Sequence, residues 1–286
     1  MSEKPRTITV LTHQYPEETA DAISRLIHYV TGSGVRVLLS EDEADKHGIA
    51  ASEGVEVGGD PDADTDLALV LGGDGTILTA LRRFAGRKAP VFAINYGAIG
   101  FLSTIDHGGL EEGMQRALSG EFELLPMPAL STDVGGARKL GVNDISFHRR
   151  ANGRVAELEY MVQGETLGRV RCDGLVVSTP VGSTGYNLAN GGPVLAWGVE
   201  GFVVSFIAPH TLTARALVVA PGDVLTVENT SDRDEVDVST DGRRVGELGP
   251  GQRVDVCFSD DEVLLAQVPG STFYHRFREK FGRLAT

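Results

Sequence analysis

The residues best equipped for chemistry in this chain of 286 residues stand together in the run Leu71-Gly72-Gly73-Asp74-Gly75-Thr76. A short apolar stretch, Leu67 to Leu71, precedes the run, and a segment with helical periodicity follows it. A strand, a tight glycine turn and a helix start aim several backbone N–H groups at one point. Those donors, with the positive end of the helix dipole, favour a phosphate. Asp74 places a carboxylate where that anion would bind, so its repulsion needs an offset from a metal ion or from a substrate hydroxyl that donates to it. A phosphate cradle with an embedded acceptor reads as phosphoryl transfer to an alcohol. The run alone also allows a plain strand-to-helix turn with Asp74 as a cap. No Gly-Lys-Ser or Gly-Lys-Thr occurs, which excludes a P-loop. Leu78 stands where the third glycine of a GxGxxG dinucleotide fingerprint would fall.

Two later segments carry matching chemistry. Asn143-Asp144 opens a strand-like stretch and supplies an amide and a carboxylate, a pair suited to a ribose diol; by itself it reads more simply as a turn or strand-end cap. The run CDGLVVSTPVGSTGYNLANGGP, Cys172 to Pro193, leads from an apolar strand through Gly182-Ser183-Thr184-Gly185-Tyr186 into a short polar helix. Its hydroxyls and helix-start N–H groups suit the polar edges of a nucleotide, and Tyr186 offers a flat apolar surface.

The elements that must position these residues change character along the chain. In the first half, strands at Ile8 to Leu11, Val35 to Leu39, Leu67 to Leu71 and Val91 to Ile94 alternate with helices, among them Glu17 to Val30. After the glycine turn, Ile77, Leu78, Leu81 and Phe84 share a helix face, with Arg82 and Arg83 pointing away. This alternation predicts a parallel sheet with ligands at the carboxyl ends of its strands, so Asn95-Tyr96-Gly97-Ala98-Ile99-Gly100 should border the same crevice as Asp74. The acidic stretch from Glu41 to Asp66 reads as a solvated loop and lacks the order of an EF-hand. After about residue 120, short alternating runs separated by Pro221-Gly222, Asp241-Gly242 and Pro250-Gly251 predict a β-rich, sandwich-like domain. The expected organisation is an α/β domain over 1–120 joined by 270–286, and a β-rich domain over 121–269, with a C-terminal helix near 272–281 packing back on the first.

Composition narrows the function classes. Hydrophobic residues make up 41% and charged residues 23%, as in soluble globular proteins. A net charge of −14 argues against nucleic acid or an anionic membrane as the main partner. Cys172 and Cys257 lack the spacing of a disulfide framework or a zinc site, and no leader-like apolar segment opens the chain, so a cytoplasmic location is expected.

Taken together, GGDGT at 72–76, NxGxxGFL at 95–102, Asn-Asp at 143–144 and DGLVVSTPxGST at 173–184 with Gly191-Gly192-Pro193 resemble the NAD kinase family. The resemblance extends through Pro209-His210-Thr211-Leu212 and Arg215 to Asp241-Gly242. It implies phosphoryl transfer from ATP or polyphosphate to the adenosine 2′-hydroxyl of NAD, giving NADP. Asp74 then resembles the proton acceptor, Gly75 offers backbone to phosphate, and Asn143 and Asp144 match the pair that binds the adenosine ribose. Thr184, Gly185, Tyr186, Asn187 and Ala189 match the segment that contacts NAD. Arg171 and Asp173 match positions near the nicotinamide end, and His210, within a matching stretch, reads either as a phosphate contact or as a satisfied structural histidine. Mg²⁺ or a similar ion is expected on the donor phosphates, with no direct protein ligand, and a homo-oligomer, dimer or tetramer, is expected. The alternatives are a lipid or small-alcohol kinase sharing the glycine motif, and a non-catalytic dinucleotide-binding protein. The chain departs from the family pattern at Gly185 (usually alanine), at Ala189 (often serine), and at Thr79 and Ala98, where basic residues are common.

Overall fold

Four apolar runs buried on both faces need a sheet covered on either side by helices, and the first unit supplies one. The computed structural model describes residues 4–58, 60, 65–96, 100–105, 109–151 and 153–282. The chain divides into two units, residues 1–126 with 263–286 and residues 127–262.

The first unit runs β1 (Thr7–Thr12), α1 (Ala20–Val30), β2 (Arg36–Leu39), α2 (Glu41–His47), β3 (Val55–Val57), β4 (Leu67–Leu71), α3 (Asp74–Arg83), β5 (Val91–Ile94), α4 (Leu110–Ser119) and β6 (Glu123–Met127). Its sheet has the order β3-β2-β1-β4-β5, followed by a late strand at Val263–Gln267 and then β6. The pairs among β1 to β5 are parallel. β4 lies at the centre and is buried throughout, so its carboxyl end delivers Gly72 and Gly73 to the sheet edge where ligands of such folds bind. α1 buries Ala22, Ile23, Leu26 and Val30 against this sheet, and α4 buries Leu110, Met114 and Ala117.

The second unit contains β7 (Leu130–Val134), β8 (Ala137–Gly141), β9 (Asp144–Arg149), β10 (Ala156–Val162), β11 (Glu165–Cys172), β12 (Gly174–Ser178), α5 (Tyr186–Ala189), β13 (Phe202–Ile207), β14 (Leu217–Val219), β15 (Leu225–Asn229), β16 (Val236–Thr240), β17 (Arg243–Leu248) and β18 (Arg253–Phe258). Two antiparallel sheets, β11-β10-β15-β18-β7-β8 and β14-β13-β12-β9-β16-β17, share one core that includes Leu158, Val227 and Val256 from the first and Phe147, Val177, Val204 and Val238 from the second. The glycine signals at 222, 242 and 251 fall in the turns between successive strands of this unit. The chain then returns to the first unit as β19 (Val263–Gln267), parallel to β5, and α6 (Phe273–Phe281).

Two readings change. The acidic stretch after Ser40 is not a loop throughout. Its first part is α2, where the Ser40 hydroxyl accepts from the Glu43 N–H, acids fill the first turn, and Gly48 closes the end in the left-handed region at φ 63°. Acids at a helix start are stabilised by the dipole, so charge density here marks a helix and not only solvation. Val55–Val57 adds an edge strand beyond β2. The unit boundaries fall at 126/127 and 262/263, because β6 and β19 hydrogen-bond into the α/β sheet and not into the sandwich.

Candidate active site

In the first unit the chain leaves β4 through Gly72, and Gly73 caps α3 with extended backbone. Asp74 is therefore the first helical residue, half-buried, and Gly75 behind it is exposed, with open space where a side chain would stand. The first N–H groups of a helix have no intrahelical acceptor, so this turn presents donors outward beside a carboxylate. The offset for that carboxylate is already built into the fold. The Phe101 N–H donates to Asp74 Oδ2 at 3.1 Å and the Leu102 N–H to Oδ1 at 3.2 Å. Gly100 permits this approach: a β-carbon there would lie 2.3 Å from Asp74 Oδ1. Ala98 and its neighbours 97 and 99 lie outside the described residues.

α6 holds the segment that holds Asp74. The Phe101 ring stacks on Phe273 with centroids 6.3 Å apart, meets Phe281 at 5.7 Å, and lies 4.7 Å below Lys280 Nζ. Arg276, almost fully buried, reaches Gln267 Oε1 at 2.7 Å and Ser103 Oγ at 3.5 Å. The expected packing of the C-terminal helix on the first unit thus has a consequence at Asp74. On α3, Ile77, Leu81 and Phe84 are buried as the periodicity predicts, while Leu78, expected on the same face, is only half-buried. Thr79 spends its hydroxyl on the Gly75 carbonyl at 3.0 Å, and Arg82 turns back to within 3.4 Å of that hydroxyl instead of pointing away. A cation therefore stands beside Thr79.

In the second unit, Asn143 and Asp144 enter β9 at the end of the sandwich. Thr179 N–H donates to the Asn143 carbonyl at 2.9 Å, and the Thr179 hydroxyl to the Val142 carbonyl at 2.7 Å. Gly182 packs directly on this turn, since a β-carbon there would fall 2.0 Å from the Asn143 carbonyl oxygen. Asn143 Oδ1 is buried with no hydrogen-bond partner among the described residues, an arrangement that costs free energy unless a donor arrives. Asp144 is 6% exposed. Burial first, and the nearby Asp241 carboxylate second, push its pKa up to about 7.

The glycine-rich run then turns through Thr184 and Gly185 into α5. Tyr186 is partly exposed and stacks on His148, ring centroids 5.6 Å apart and 16° from parallel. Burial raises the Tyr186 phenol pKa, helped by Asp144 and Asp173, so both carboxylates lie within electrostatic reach of this phenol. Asp173 also takes a 2.5 Å hydrogen bond from Arg149 Nε. Gly185 and Ala189 are exposed, and Thr184 is half-buried. An alanine at 185 would bring its β-carbon 3.3 Å from the Gly182 carbonyl, tighter than ordinary contact, which suits the glycine found there. Asn187 is fully buried, its amide nitrogen donating to the Ser183 and Pro193 carbonyls at 3.0 and 2.9 Å.

The structure thus gathers Asn143, Asp144, Asp173 and Tyr186 by contact or mutual electrostatics. It treats Arg171 and His210 differently. The exposed Arg171 pairs with Glu157 across the β10–β11 ladder at 3.2 Å, and the exposed His210 donates its backbone N–H to the Arg171 carbonyl at 2.7 Å. Sequence reasoning missed Phe101 and Leu102 as the partners of Asp74, and Asp241 as the partner of Asn143 and Asp144. Among the described residues, no group of three or more His, Cys, Asp or Glu side chains could hold a metal ion, and no helix is long and apolar enough to cross a membrane.

The chain matches the ATP-NAD kinase N-terminal domain over residues 8–122 and the ATP-NAD kinase C-terminal domain over residues 142–268. It is 36% identical over 228 residues to a NAD kinase of Gemmatimonas aurantiaca, covering 77% of this chain and 78% of that one. A NAD kinase of Thermobifida fusca is 33% identical over 96% of this chain and 89% of its own length. Among solved structures, yeast NADH kinase complexed with NADH superposes with a TM-score of 0.89 at 23% identity, over 100% of this chain and 90% of the other, a likeness of fold. An Archaeoglobus fulgidus NAD kinase in complex with ATP gives a TM-score of 0.69 at 25% identity, over 98% of both chains.

Proposed function

The chain belongs to the NAD kinase family of enzymes, and on that premise we propose that it transfers the γ-phosphoryl group of ATP to the adenosine 2′-hydroxyl of NAD. The observation that carries this reading is Asp74, a carboxylate pinned by two backbone N–H groups at the outward-facing start of α3. Asp74 accepts the hydroxyl proton as the new P–O bond forms and the bond to the leaving ADP oxygen breaks. A carboxylate is a weak base toward an alcohol, and here two N–H donors also disperse its charge, so orientation of the hydroxyl precedes a late proton transfer. Asn143 and Asp144 bind the ribose. The 2′-hydroxyl gives its proton to Asp74, and the 3′-hydroxyl donates between the unpartnered Asn143 Oδ1 and the Asp144 carboxylate. Thr184, Gly185, Tyr186 and Ala189 form the surface against the dinucleotide, and Asn187 belongs to the same segment, which it braces from within. Asp173 serves the nicotinamide end, with Arg171 and His210 further out, His210 toward a phosphate.

A divalent cation, Mg²⁺ in this reading, supplies charge neutralisation on the donor phosphates when bound. The residues fit a cation carried by the phosphates: Asp74, the carboxylate of the glycine turn, already has each oxygen engaged by a backbone donor, and Gly75 offers backbone to phosphate. The test is incubation with ATP, Mg²⁺ and either NAD or NADH, with polyphosphate as a second donor, followed by enzymatic detection of the 2′-phosphorylated dinucleotide. Absence of product from every donor–acceptor pair would refute the reading.

The close approach at Gly100 gives a second expected result. In Gly100→Ala the new β-carbon meets the end of a side chain, Asp74 Oδ1, and not backbone. The carboxylate swings away and the fold is spared. Turnover should fall by about 10- to 100-fold, the scale of an ångström-level misplacement, while the melting temperature and the KM for ATP change little. Melting that collapses together with kcat would mean that Gly100 serves folding and not the placement of Asp74.

A further inference from the structure

The Asp241-Gly242 pair joins β16 to β17 with both residues in the left-handed region, φ 45° and 75°. Such a two-residue turn is a common hairpin device, and asparagine or glycine would serve the backbone at position 241 as well as aspartate does. The side chain gives the aspartate a separate use. Its Oδ1 accepts from the Asn143 N–H at 2.6 Å and the Asp144 N–H at 3.1 Å, and its Oδ2 from the Val142 N–H at 3.1 Å. The Asp241 N–H in turn donates to the Asp144 carbonyl at 2.9 Å. Four hydrogen bonds therefore tie this hairpin tip to three consecutive residues nearly a hundred positions away, and two of those three are the proposed ribose ligands.

We propose that Asp241 is a positioning residue of the dinucleotide site, whose carboxylate fixes the Val142–Asp144 backbone so that Asn143 and Asp144 present their side chains to one ribose. This rests on the proposed assignment of Asn143 and Asp144 to the ribose. Three N–H groups converging on one carboxylate are a strong charge-assisted arrangement. It orients the start of β9 without using either side chain that meets the ligand.

The same arrangement brings two carboxylates together. Within electrostatic reach of Asp144 are Asp241 from the β16–β17 turn and the Tyr186 phenol from α5, with Ser178 as its cross-strand partner on β12; Asp173 also acts on the Tyr186 phenol. Asp241 adds like-charge repulsion to the burial that already holds the Asp144 proton. The hairpin tip thus sets both where Asp144 stands and the pH at which it becomes the acceptor a ribose hydroxyl needs.

The experiment compares Asp241→Asn and Asp241→Ala with the unaltered enzyme, after NADP formation by the latter has been established. Steady-state KM for NAD and for ATP, and the pH profile of kcat/KM for NAD, are measured. Asparagine can keep Oδ1 for the Asn143 and Asp144 N–H groups; its NH₂ group replaces Oδ2 and opposes only the Val142 N–H, so that variant chiefly reads charge. Its acidic limb, near pH 7 in the unaltered enzyme, should move about one unit lower. Alanine removes both acceptor oxygens, and with them three hydrogen bonds, and reads geometry: KM for NAD should rise about tenfold or more, with KM for ATP within about twofold. A limb that stays in place in Asp241→Asn overturns the proposal, whether or not the alanine variant folds. An unchanged KM for NAD in a folded Asp241→Ala, or an equal rise for both substrates, overturns it too. If the unaltered enzyme makes no NADP, the failure lies with the proposed function, and calorimetric titration of NAD into both variants then decides the positioning role by itself: weaker binding to Asp241→Ala supports it and unchanged binding refutes it.

Discussion

Asp74→Asn is expected to bind NAD almost as the unaltered enzyme does and to lose turnover by about 10³-fold, within the range that a positioned general base contributes. The amide has the size of the carboxylate and keeps one of its two backbone bonds. Its oxygen can accept from either the Phe101 or the Leu102 N–H, while its NH₂ group opposes the other. What disappears is the negative charge and the ability to take a proton. Because Asp74 is proposed to touch the reacting hydroxyl and not the body of the dinucleotide, the loss should fall on kcat, with the dissociation constant of NAD held within a few-fold. Initial-rate assays of NADP formation, paired with calorimetric titration of NAD, measure the two quantities separately. A kcat within tenfold of the unaltered enzyme would remove Asp74 from the chemistry. Comparison with Gly100→Ala is informative, since that substitution keeps the carboxylate and displaces it. A smaller loss there than in Asp74→Asn separates the value of the group from the value of its position.

The parts of this fold that could be read from residues are those whose physical cause is local. β4, the glycine turn and α3 follow from a buried apolar run, a helix cap and a periodic face within a span of seventeen residues. The hairpins of the sandwich follow from glycine at positions that need positive φ, as at Gly242 and Gly251. α2 was also legible in principle: Ser40-Glu41-Asp42-Glu43 has the spacing of a capping box, of which the serine half forms, and Gly48 is a left-handed terminator, yet the density of acids draws attention to solvation instead. The return of β19 to the first sheet had no comparable signal, because a short apolar strand reads the same in a parallel sheet and in a sandwich. The site divides in the same way. Asp74, Asn143 and Asp144 stand out by type and neighbours. The donors that fix them are backbone N–H groups at Phe101 and Leu102, and the acceptor is a carboxylate at Asp241, contacts 27 to 99 residues apart in sequence. Every non-proline residue carries an N–H, so side-chain identity cannot announce which ones converge on an aspartate.

The second large effect expected is a gain in stability on removing a proposed ligand. Asp144 has a folded-state pKa of about 7 against 3.8 for the free side chain, with burial as the larger cause. Below about pH 4 the carboxyl is neutral in both states and contributes no difference. Between about pH 4 and 7 the unfolded chain releases the proton while the folded chain retains it, so rising pH lowers stability. Above pH 7 the full difference remains, at most about 4 kcal/mol for a shift of this size at roughly 1.4 kcal/mol per unit. Asp144→Asn removes that ionisation. Its new amide hydrogens need partners in a buried place, which returns about 1–3 kcal/mol of the gain. A net stabilisation of about 1–3 kcal/mol at pH 8 should therefore appear as a melting temperature several degrees higher, shrinking as pH falls and reversing to a loss of about 1–3 kcal/mol by pH 4, where only the cost of the amide hydrogens remains. The same change should raise KM for NAD about tenfold, since a neutral amide replaces a charged acceptor of a hydroxyl proton. Melting curves from pH 4 to pH 8 and KM for NAD at pH 8 test both halves. Equal melting temperatures for the two proteins at pH 8 would mean that the buried carboxylate is stabilised in a way its surroundings do not display. Stability gained without loss of NAD affinity would detach Asp144 from the ribose. Both effects appearing together would mean that the fold tolerates an unfavourable buried charge at the position where the substrate's hydroxyl supplies its missing partner.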